Sequence, residues 1–252
     1  MPFDIVYFDV DTADPLAAET RLLSMAETGR SVAHLWQAPQ SLVVPRSYRR
    51  FPALESARAQ FAEQGCRVFM RMSGGGLVPQ GPGILNLSLA YRVRGSAASN
   101  SEAVYRHLCE VLRDALGAFG LQTHWEAVDG SFCDGRFNLA WGRPGEAQKL
   151  AGTAQYWRGV RMDGRGAHSS LYAVLAHAVL LVSADPHEIN QRANAFEDAI
   201  GSGRHYQAGR VISVQQALCR TGLAPPDELM ESVLSALRAS VMATPPPVAN
   251  ED

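Results

Sequence analysis

One lysine stands out in a chain whose other cationic side chains are all arginines. It is Lys149, in the stretch Gln-Lys-Leu-Ala-Gly-Thr-Ala-Gln at 148–155, and the other 22 of the 23 basic residues are arginines. An ammonium group is a compact donor whose pKa shifts on burial, whereas a guanidinium is a wide planar fork that keeps its charge. We therefore interpret Lys149 as a point-charge donor to a carbonyl or phosphate oxygen rather than as a chance surface lysine.

A cysteine with a possible chemical role lies 16 residues before this lysine. Cys133 is predicted to lie in a polar turn, Gly-Ser-Phe-Cys-Asp-Gly-Arg-Phe at 130–137. A nearby cation stabilises a thiolate, and the thiolate is the nucleophilic form of cysteine. Taken alone, these residues leave a reactive and a purely structural Cys133 both open. The other three cysteines are interpreted as small hydrophobic residues, namely Cys66, Cys109 and Cys219.

The densest glycine segment is Ser-Gly-Gly-Gly-Leu-Val-Pro-Gln-Gly-Pro-Gly at 73–83. No Gly-Lys-Ser/Thr follows it and no helix opens after it, so it is neither a Walker loop nor a dinucleotide fingerprint. Glycine lets the backbone approach a ligand and present its N–H groups. A ligand-binding loop and a long hairpin turn between two strands both remain open. No cysteine or histidine spacing is typical of a metal site, so none is predicted.

Hydrophobic periodicity predicts the elements that must position these residues. Alternating segments predict strands at 3–9, 33–36, 42–44, 66–72, 84–93 and 121–128. Helical spacing predicts helices at 15–28, 53–65, 99–120, 186–200 and 226–242. Residues 130–142 and 148–160 are predicted as strands or a hairpin, and the apolar run 171–182 fits either a strand or a helix. The fold class is therefore α+β, with one domain over 1–243 and a Pro-rich, disordered tail over 244–252.

Composition narrows the class of protein. The chain has 252 residues, 46% of them hydrophobic, and a net charge of −2, which argues against a nucleic-acid binder. Its longest apolar run is shorter than the roughly 20 residues that span a bilayer, so no membrane association is predicted. The acidic, strand-like N-terminus does not resemble a signal peptide. We expect a cytoplasmic protein with free thiols.

Three stretches together resemble the biotin/lipoate protein ligase and octanoyltransferase superfamily. They are RMSGGGLVPQGPGILNLSL at 71–89, KLAGTAQ at 149–155 and, more loosely, AHAVLLV at 176–182. The resemblance implies a central mixed or antiparallel sheet flanked by helices. It also implies that the glycine loop and the lysine strand form the pocket for a lipoyl or octanoyl chain, with Lys149 as the essential amine. The implied substrate-binding positions are Arg71, Ser73, Gly74, Gly75, Gly76, Asn86, Gly152, Thr153, Ala154 and His177.

The resemblance also bears on the reaction. Cysteine-dependent octanoyl and lipoyl transferases of the superfamily carry a Cys-x-x-x-Tyr-Asp-Leu pattern before the lysine strand, and this chain has Cys133 to Leu139 with Phe137 and Asn138 substituted. Met70 stands where the family commonly has a basic residue, which weakens the case for binding an adenylate phosphate. We therefore expect acyl transfer through a Cys133 thioester, with no cofactor.

The expected donor of the acyl group is an acyl carrier protein or a lipoylated H protein. The expected acceptor is a lysine on H protein or on a lipoyl domain of a 2-oxoacid dehydrogenase. The alternative is an ATP-dependent lipoate–protein ligase, in which ATP and Mg are used and Lys149 holds a lipoyl-adenylate. A non-catalytic binder of lipoylated proteins is the third possibility, disfavoured by the presence of both Lys149 and Cys133.

Overall fold

Ten β-strands and six α-helices form in the part of the chain that the computed structural model describes, residues 2–9, 14–160 and 171–247. The strands are β1 (Asp4–Ile5), β2 (Val32–Trp36), β3 (Ser41–Pro45), β4 (Arg67–Arg71), β5 (Val78–Gln80), β6 (Ile84–Arg94), β7 (Thr123–Glu126), β8 (Asn138–Trp141), β9 (Gln148–Gly159) and β10 (Leu171–Leu181). The helices are α1 (Ala17–Glu27), α2 (Leu54–Glu63), α3 (Ala97–Gly117), α4 (Pro186–Ala199), α5 (Val214–Arg220) and α6 (Leu229–Ala243). Two 3-10 helices span Arg46–Arg50 and Ala208–Arg210.

Seven strands form a mixed sheet in the order β1-β2-β6-β10-β9-β8-β7. β1 and β2 are parallel, and the other neighbouring pairs are antiparallel. Residues paired in register point to the same face of a sheet. Across β2, β6, β10 and β9, one such row is His34, Ser88, His177 and Ala154, and the next is Trp36, Asn86, Val179 and Gly152. This face therefore presents a band of polar and small side chains.

A second sheet of three strands has the order β4-β3-β5, with β3 and β4 parallel and β3 and β5 antiparallel. Helix α2 packs on β4, and α4 packs on β5. The glycine segment 73–83 follows β4, contains β5 and leads into β6 of the large sheet. It therefore crosses from one sheet to the other, and the hairpin interpretation of this segment was wrong.

Strand β10 shows why the apolar run 171–182 is extended rather than helical. Its alternate residues Ala176, Ala178 and Leu180 enter a core shared with α3 and α6. Val179 and Leu181 enter a different core, shared with β3, α2 and α4. The sequence of a strand that is buried on both faces is a continuous apolar run. Periodicity alone does not distinguish such a run from a buried helix.

The predicted α+β class, with a central mixed sheet flanked by helices, is confirmed. All five predicted helices form, with ends within three residues of those predicted. Of the strands or hairpin predicted at 130–142 and 148–160, the parts that form β8 and β9 pair antiparallel as a hairpin. No helix among the described residues is long and apolar enough to cross a lipid bilayer.

Four details of the secondary structure were predicted wrongly. Of the strand expected at 3–9, only Asp4–Ile5 pairs. The strand expected over 130–142 forms only at its end, since residues 130–137 are turns, as the polar segment around Cys133 also indicated, and the predicted loop 73–83 contains β5. Helix α5 was not predicted, although Ser213 and Gln216 form a capping box at its start.

The single domain over 1–243 stays a prediction, and so does the disordered tail. Residues 248–252 of that tail lie outside the described part of the chain. In the described part, His107 Nε2 lies at hydrogen-bonding distance, 2.9 Å, from the carbonyl oxygen of Pro245.

Candidate active site

The turn that carries Cys133 is held by the lysine of strand β9. Lys149 Nζ donates to the carbonyl oxygens of Phe132, at 2.5 Å, and Cys133, at 2.8 Å. Asn138 Nδ2 donates to the same Cys133 carbonyl at 3.2 Å. Cys133 has a φ of 49°. It is the only non-glycine residue with a positive φ among the residues that the structure describes. Non-glycine residues rarely adopt this conformation, so the surrounding hydrogen bonds must maintain it.

Lys149 is buried as a charged group. Its side chain is 1% exposed, and its ammonium lies 4.6 Å from the centre of the Phe132 ring. Burial lowers the pKa of Lys149 from 10.5 to about 8, opposed by the nearby Cys133 and Asp134. The ammonium fits because β9 has a glycine beside it: a Cβ on Gly152 would lie 3.0 Å from Nζ. At neutral pH most molecules therefore carry a buried positive charge under the Cys133 turn.

The glycine loop covers the other side of Cys133. The Gly76 N–H donates to Cys133 Sγ at 3.4 Å, and Arg71 Nη2 lies 3.9 Å from the same sulfur. Arg71 also donates to the carbonyls of Gly74, at 2.9 Å, and Gly76, at 2.7 Å, and so fixes the loop. Gly75 has φ 102°, and a Cβ there would lie 2.7 Å from Sγ. Only glycine allows the loop to approach the sulfur this closely.

Cys133 lies where an open cleft meets a narrow internal cavity. The cleft has a volume of about 760 Å³ and is lined by the glycines 74–76, Tyr105, Gln155 and Arg204 among others. The cavity, of about 20 Å³, reaches inward to Leu16, which precedes α1, to Glu19 of α1 and to His177 of β10. Cys133, Thr153 and Ala154 line both spaces. The sulfur can therefore be reached from the cleft, whereas the cavity as it stands holds little more than one water molecule.

Glu19 and His177 line the inner part of the cavity, and Ser88 binds His177 from behind it. Ser88 Oγ and His177 Nδ1 are hydrogen bonded at 2.8 Å, and Glu19 Oε1 lies 4.0 Å from the same nitrogen. Burial lowers the pKa of His177 to about 3, so this histidine is neutral at physiological pH. Burial raises the pKa of Glu19 to about 7, against the opposing charge of Arg71. The cavity therefore combines an apolar wall, which includes Leu16, with few fixed charges.

Most of the predicted site residues come together around these two spaces. They are Arg71, Gly74, Gly75, Gly76, Cys133, Lys149, Gly152, Thr153, Ala154 and His177. Thr153 Oγ1 donates to the Phe137 carbonyl at 2.6 Å, which ties β9 to the turn. Ser73 and Asn86 are buried and are not among the lining residues. Asn86 instead exchanges two hydrogen bonds of 2.9 Å with Gln80 on β5.

Sequence reasoning missed several residues of the site. Asn138 was noted only as a substitution in the cysteine pattern, although its amide supports the Cys133 carbonyl. Glu19 and Arg204 come from segments remote in sequence, and neither belongs to a recognisable motif. No group of three or more metal-ligating side chains occurs among the described residues.

The other cysteines have different environments. Cys66 and Cys109 are buried, as predicted, and burial raises the pKa of both thiols, that of Cys109 to about 12. Cys219 is exposed, so its interpretation as a buried hydrophobic residue was wrong. It lies on the helix α5 that was not predicted, and the buried face of that helix carries Val214, Ala217 and Leu218 instead.

Comparisons with known proteins identify the family of this chain. The sequence matches the family model described as the lipoyl protein ligase A/B catalytic domain over residues 11–238. A protein of Cupriavidus necator described only as uncharacterised is 60% identical over 98% of this chain and 100% of its own length. An octanoyl-[GcvH]:protein N-octanoyltransferase of Kyrpidia tusciae is 38% identical over 138 residues, 54% of this chain and 45% of that protein. The matched region thus spans about half the length of that transferase.

Solved structures show the same fold. The crystal structure of a lipoate-protein ligase A bound with ATP has a TM-score of 0.68 at 18% identity, over 97% of this chain and 85% of that one. A bipartite lipoate protein ligase of Thermoplasma acidophilum has a TM-score of 0.60 at 16% identity, over 97% and 84% of the two chains. The predicted resemblance to the biotin/lipoate ligase and octanoyltransferase superfamily is confirmed. Since the family model covers most of its length, the chain belongs to the lipoyl protein ligase A/B catalytic-domain family.

Proposed function

We propose that this protein transfers an octanoyl or lipoyl group to a lysine of a lipoyl-domain protein through a thioester on Cys133. One observation carries the proposal: the Cys133 sulfur opens to the cleft and is contacted by the Gly76 N–H, at 3.4 Å, and by Arg71, at 3.9 Å. Hydrogen-bond donors and positive charge at a sulfur favour its thiolate form. A cysteine that served only to fill the core would need neither a donor nor an open approach.

In the first step the Cys133 thiolate attacks the carbonyl carbon of a donor acyl group. A bond forms between Sγ and that carbon, the bond from the carbon to the donor's sulfur or nitrogen breaks, and the leaving group takes up the proton that the thiol released. Negative charge moves from sulfur to the carbonyl oxygen during the attack. The Gly76 N–H and the Arg71 guanidinium lie beside the sulfur, where such donors stabilise that charge.

In the second step the neutral ε-amine of an acceptor lysine attacks the Cys133 thioester. The amide bond forms as the bond from carbon to sulfur breaks, the amine loses a proton and the thiol is restored. Passage of the acyl group through the enzyme predicts ping-pong kinetics. The proposed role of Lys149 is to hold the Cys133 turn through the carbonyls of Phe132 and Cys133.

The acyl chain would occupy the cavity beside the glycine loop. Its burial contributes about 0.8 kcal/mol for each methylene group. Because the cavity measures about 20 Å³ as it stands, it must widen when the chain enters. Proposed substrate-binding residues are those that line it, including Arg71, Gly152, Thr153, Ala154 and His177. Gly74, Gly75 and Gly76 would close the side toward the cleft. Ser73 and Asn86 would act only through the loop.

The names of similar proteins support the proposed partners. The Kyrpidia tusciae relative is named for an octanoyl group on GcvH, and the Thermoplasma acidophilum structure describes a ligase with its E2 lipoyl domain. We therefore propose an acyl carrier protein or an acylated H protein as donor and a lipoyl domain as acceptor. We place this reaction in the cytoplasm, where the thiol would stay reduced.

The alternative reaction, ATP-dependent ligation, fits the described residues less well. An acyl-adenylate carries a phosphate, which is bound best by several positive charges. Among the described residues that line the cleft, Arg204 is the one arginine or lysine. Lys149 is 1% exposed and donates to two backbone carbonyls. The volume of the cleft, about 760 Å³, is the observation that favours a nucleotide.

Intact-mass spectrometry tests the proposal directly. The protein and Cys133→Ala are each mixed with octanoylated carrier protein or lipoylated H protein without ATP, and then with an apo lipoyl domain. We expect a thioester-sized mass increase on the wild type alone, followed by its transfer to the acceptor. Acceptor modification that appears only with free lipoate and ATP, in both proteins alike, would establish the ligase and reject the Cys133 thioester.

A further inference from the structure

A buried cluster outside the acyl-binding residues joins the glycine loop to α4. Glu197 of α4 is fully buried, and its Oε1 accepts hydrogen bonds from Tyr48 Oη, at 2.5 Å, and Tyr206 Oη, at 2.6 Å. Its other oxygen, Oε2, is buried without a hydrogen-bond partner in the described part of the chain. The two tyrosine hydroxyls are therefore the side-chain donors that stabilise this carboxylate.

The two tyrosines differ in what else they bind. Tyr48 Oη also accepts from the Leu77 N–H, at 3.2 Å, and from Arg204 Nη1, at 2.8 Å. A tyrosine hydroxyl has one proton to donate and can accept two, so all three positions on Tyr48 are used. Burial, followed by the hydrogen bond to Glu197, raises the pKa of Tyr48 to about 12, which keeps the hydroxyl protonated. In the described part of the chain, Tyr206 Oη donates to the same carboxylate oxygen and interacts with the Tyr48 hydroxyl, but it binds neither the Leu77 N–H nor Arg204.

Both groups that Tyr48 holds lie at the reactive cysteine. Leu77 directly follows Gly76, whose N–H donates to Cys133 Sγ. A Cβ built on Gly76 would lie 3.4 Å from Cys133 Cα and 3.8 Å from Arg204 Nη1. Arg71 holds the loop at the carbonyls of Gly74 and Gly76, and Tyr48 holds it at the Leu77 N–H. The direction of the Gly76 N–H thus depends on an anchor on each side.

We propose that Tyr48 is a positioning residue for acyl transfer, because its hydroxyl ties the Leu77 N–H and Arg204 to buried Glu197 and so aims the Gly76 N–H at Cys133. The inference rests on the proposed function for its effect on turnover. Its effect on the sulfur itself does not depend on which reaction the protein performs. The Tyr48 hydroxyl binds Glu197, Leu77 and Arg204, and Tyr48 lines neither the cleft nor the cavity, so its proposed action is through the loop.

A matched pair of variants separates positioning from general stability. Tyr48→Phe and Tyr206→Phe each remove one hydroxyl from the same Glu197 oxygen and keep the ring. Only Tyr48→Phe leaves the Leu77 N–H and an Arg204 N–H without their acceptor. The measurements are the kcat and KM of acyl transfer, and the rate of Cys133 alkylation by iodoacetamide as a function of pH. Urea unfolding of both variants measures the general effect on stability.

We expect Tyr48→Phe to lower kcat about tenfold or more, since a misdirected oxyanion donor has that order of effect, with KM for the donor changed less than about twofold. Alkylation of Cys133 should also differ from wild type in its rate, because the Gly76 N–H is no longer aimed at the sulfur. Tyr206→Phe should leave both measurements near wild type. Equal effects of the two variants, or an unchanged Tyr48→Phe, would overturn the inference.

Two provisions keep the test decisive. If the wild type transfers no acyl group, the proposed function fails. The comparison of Cys133 alkylation in wild type, Tyr48→Phe and Tyr206→Phe still shows whether Tyr48 positions the loop at the sulfur. If Tyr48→Phe does not fold, hydrogen exchange of the wild type serves instead: the Leu77 amide should exchange far more slowly than the exposed Gly74 amide. Similar rates for the two amides would show that Tyr48 does not hold the loop.

Discussion

The buried charge of Lys149 makes a prediction about how stability depends on pH. In the unfolded chain this amine keeps its proton up to its ordinary pKa of 10.5, whereas in the folded protein burial lowers the pKa to about 8. Between these values the unfolded chain binds more protons than the folded one. Raising the pH through this window therefore stabilises the folded protein, and the gain is absent below pH 8.

The magnitude follows from the shift. A pKa difference corresponds to about 1.4 kcal/mol per unit, so the fall from 10.5 to about 8 is worth about 3 kcal/mol over the whole window. Between pH 7 and pH 9.5, the range in which unfolding is easily measured, linkage predicts about 2 kcal/mol. Lys149→Met removes the titrating group while keeping most of the side-chain volume. The free energy of unfolding of wild type minus that of Lys149→Met should rise by this amount.

Urea unfolding followed by tryptophan fluorescence, repeated at several pH values under reducing conditions, measures this difference. Asn138→Ala is the matched control, because Asn138 Nδ2 also donates to the Cys133 carbonyl but carries no titrating group. Its difference from wild type should stay constant with pH. A Lys149→Met difference that is equally constant would refute the argument, since it would mean that the amine does not lose its proton within this window.

Three other predictions test contacts of the site and the fold. Gly75→Ala should abolish acyl transfer and slow alkylation of Cys133, because the new Cβ would lie 2.7 Å from Sγ. The control Gly74→Ala should keep both activities, since nothing lies within 4 Å of its Cβ. Acyl transfer by Gly75→Ala would contradict the loop geometry. Limited iodoacetamide should label Cys133, which lines the cleft, well before Cys109, which is buried and has its pKa raised to about 12. Peptide mass mapping measures the order of labelling, and the reverse order would contradict the assigned exposures. Ser96→Ala should lower the free energy of unfolding by about 1 kcal/mol through loss of the α3 cap, measured by urea titration.

Segments with strong periodicity were predictable from sequence, and segments shaped by tertiary contacts were not. The 21-residue helix α3 repeats its buried positions at helical spacing, so both ends of the prediction at 99–120 lay within three residues of the observed ends. The strand predicted over 130–142 forms only from Asn138 onward, because Lys149 of the next strand and Asn138 bind the Cys133 carbonyl and hold the preceding residues in turns. Short-range patterns do not contain that information.

The candidate site shows the same division. Lys149 was found because its residue type is rare in this chain, and the glycines 74–76 because of their density. The contact between Gly76 N–H and Cys133 Sγ joins segments 57 residues apart. Tyr48 and Glu197 are 149 residues apart, and neither one belongs to a motif. Their hydrogen bond becomes visible only when the two sheets and α4 are placed together.

The rarity and the burial of lysine have one more consequence, for self-modification. An enzyme that acylates lysine amines risks acylating its own surface, as any nearby amine can attack a thioester. The sole lysine of this chain is 1% exposed, so no lysine amine is presented to a neighbouring copy. Arginine provides the surface cations instead, and its guanidinium stays protonated and is not a nucleophile at neutral pH. Lysine acylation detected in a reaction mixture therefore reports on the acceptor protein and not on the enzyme.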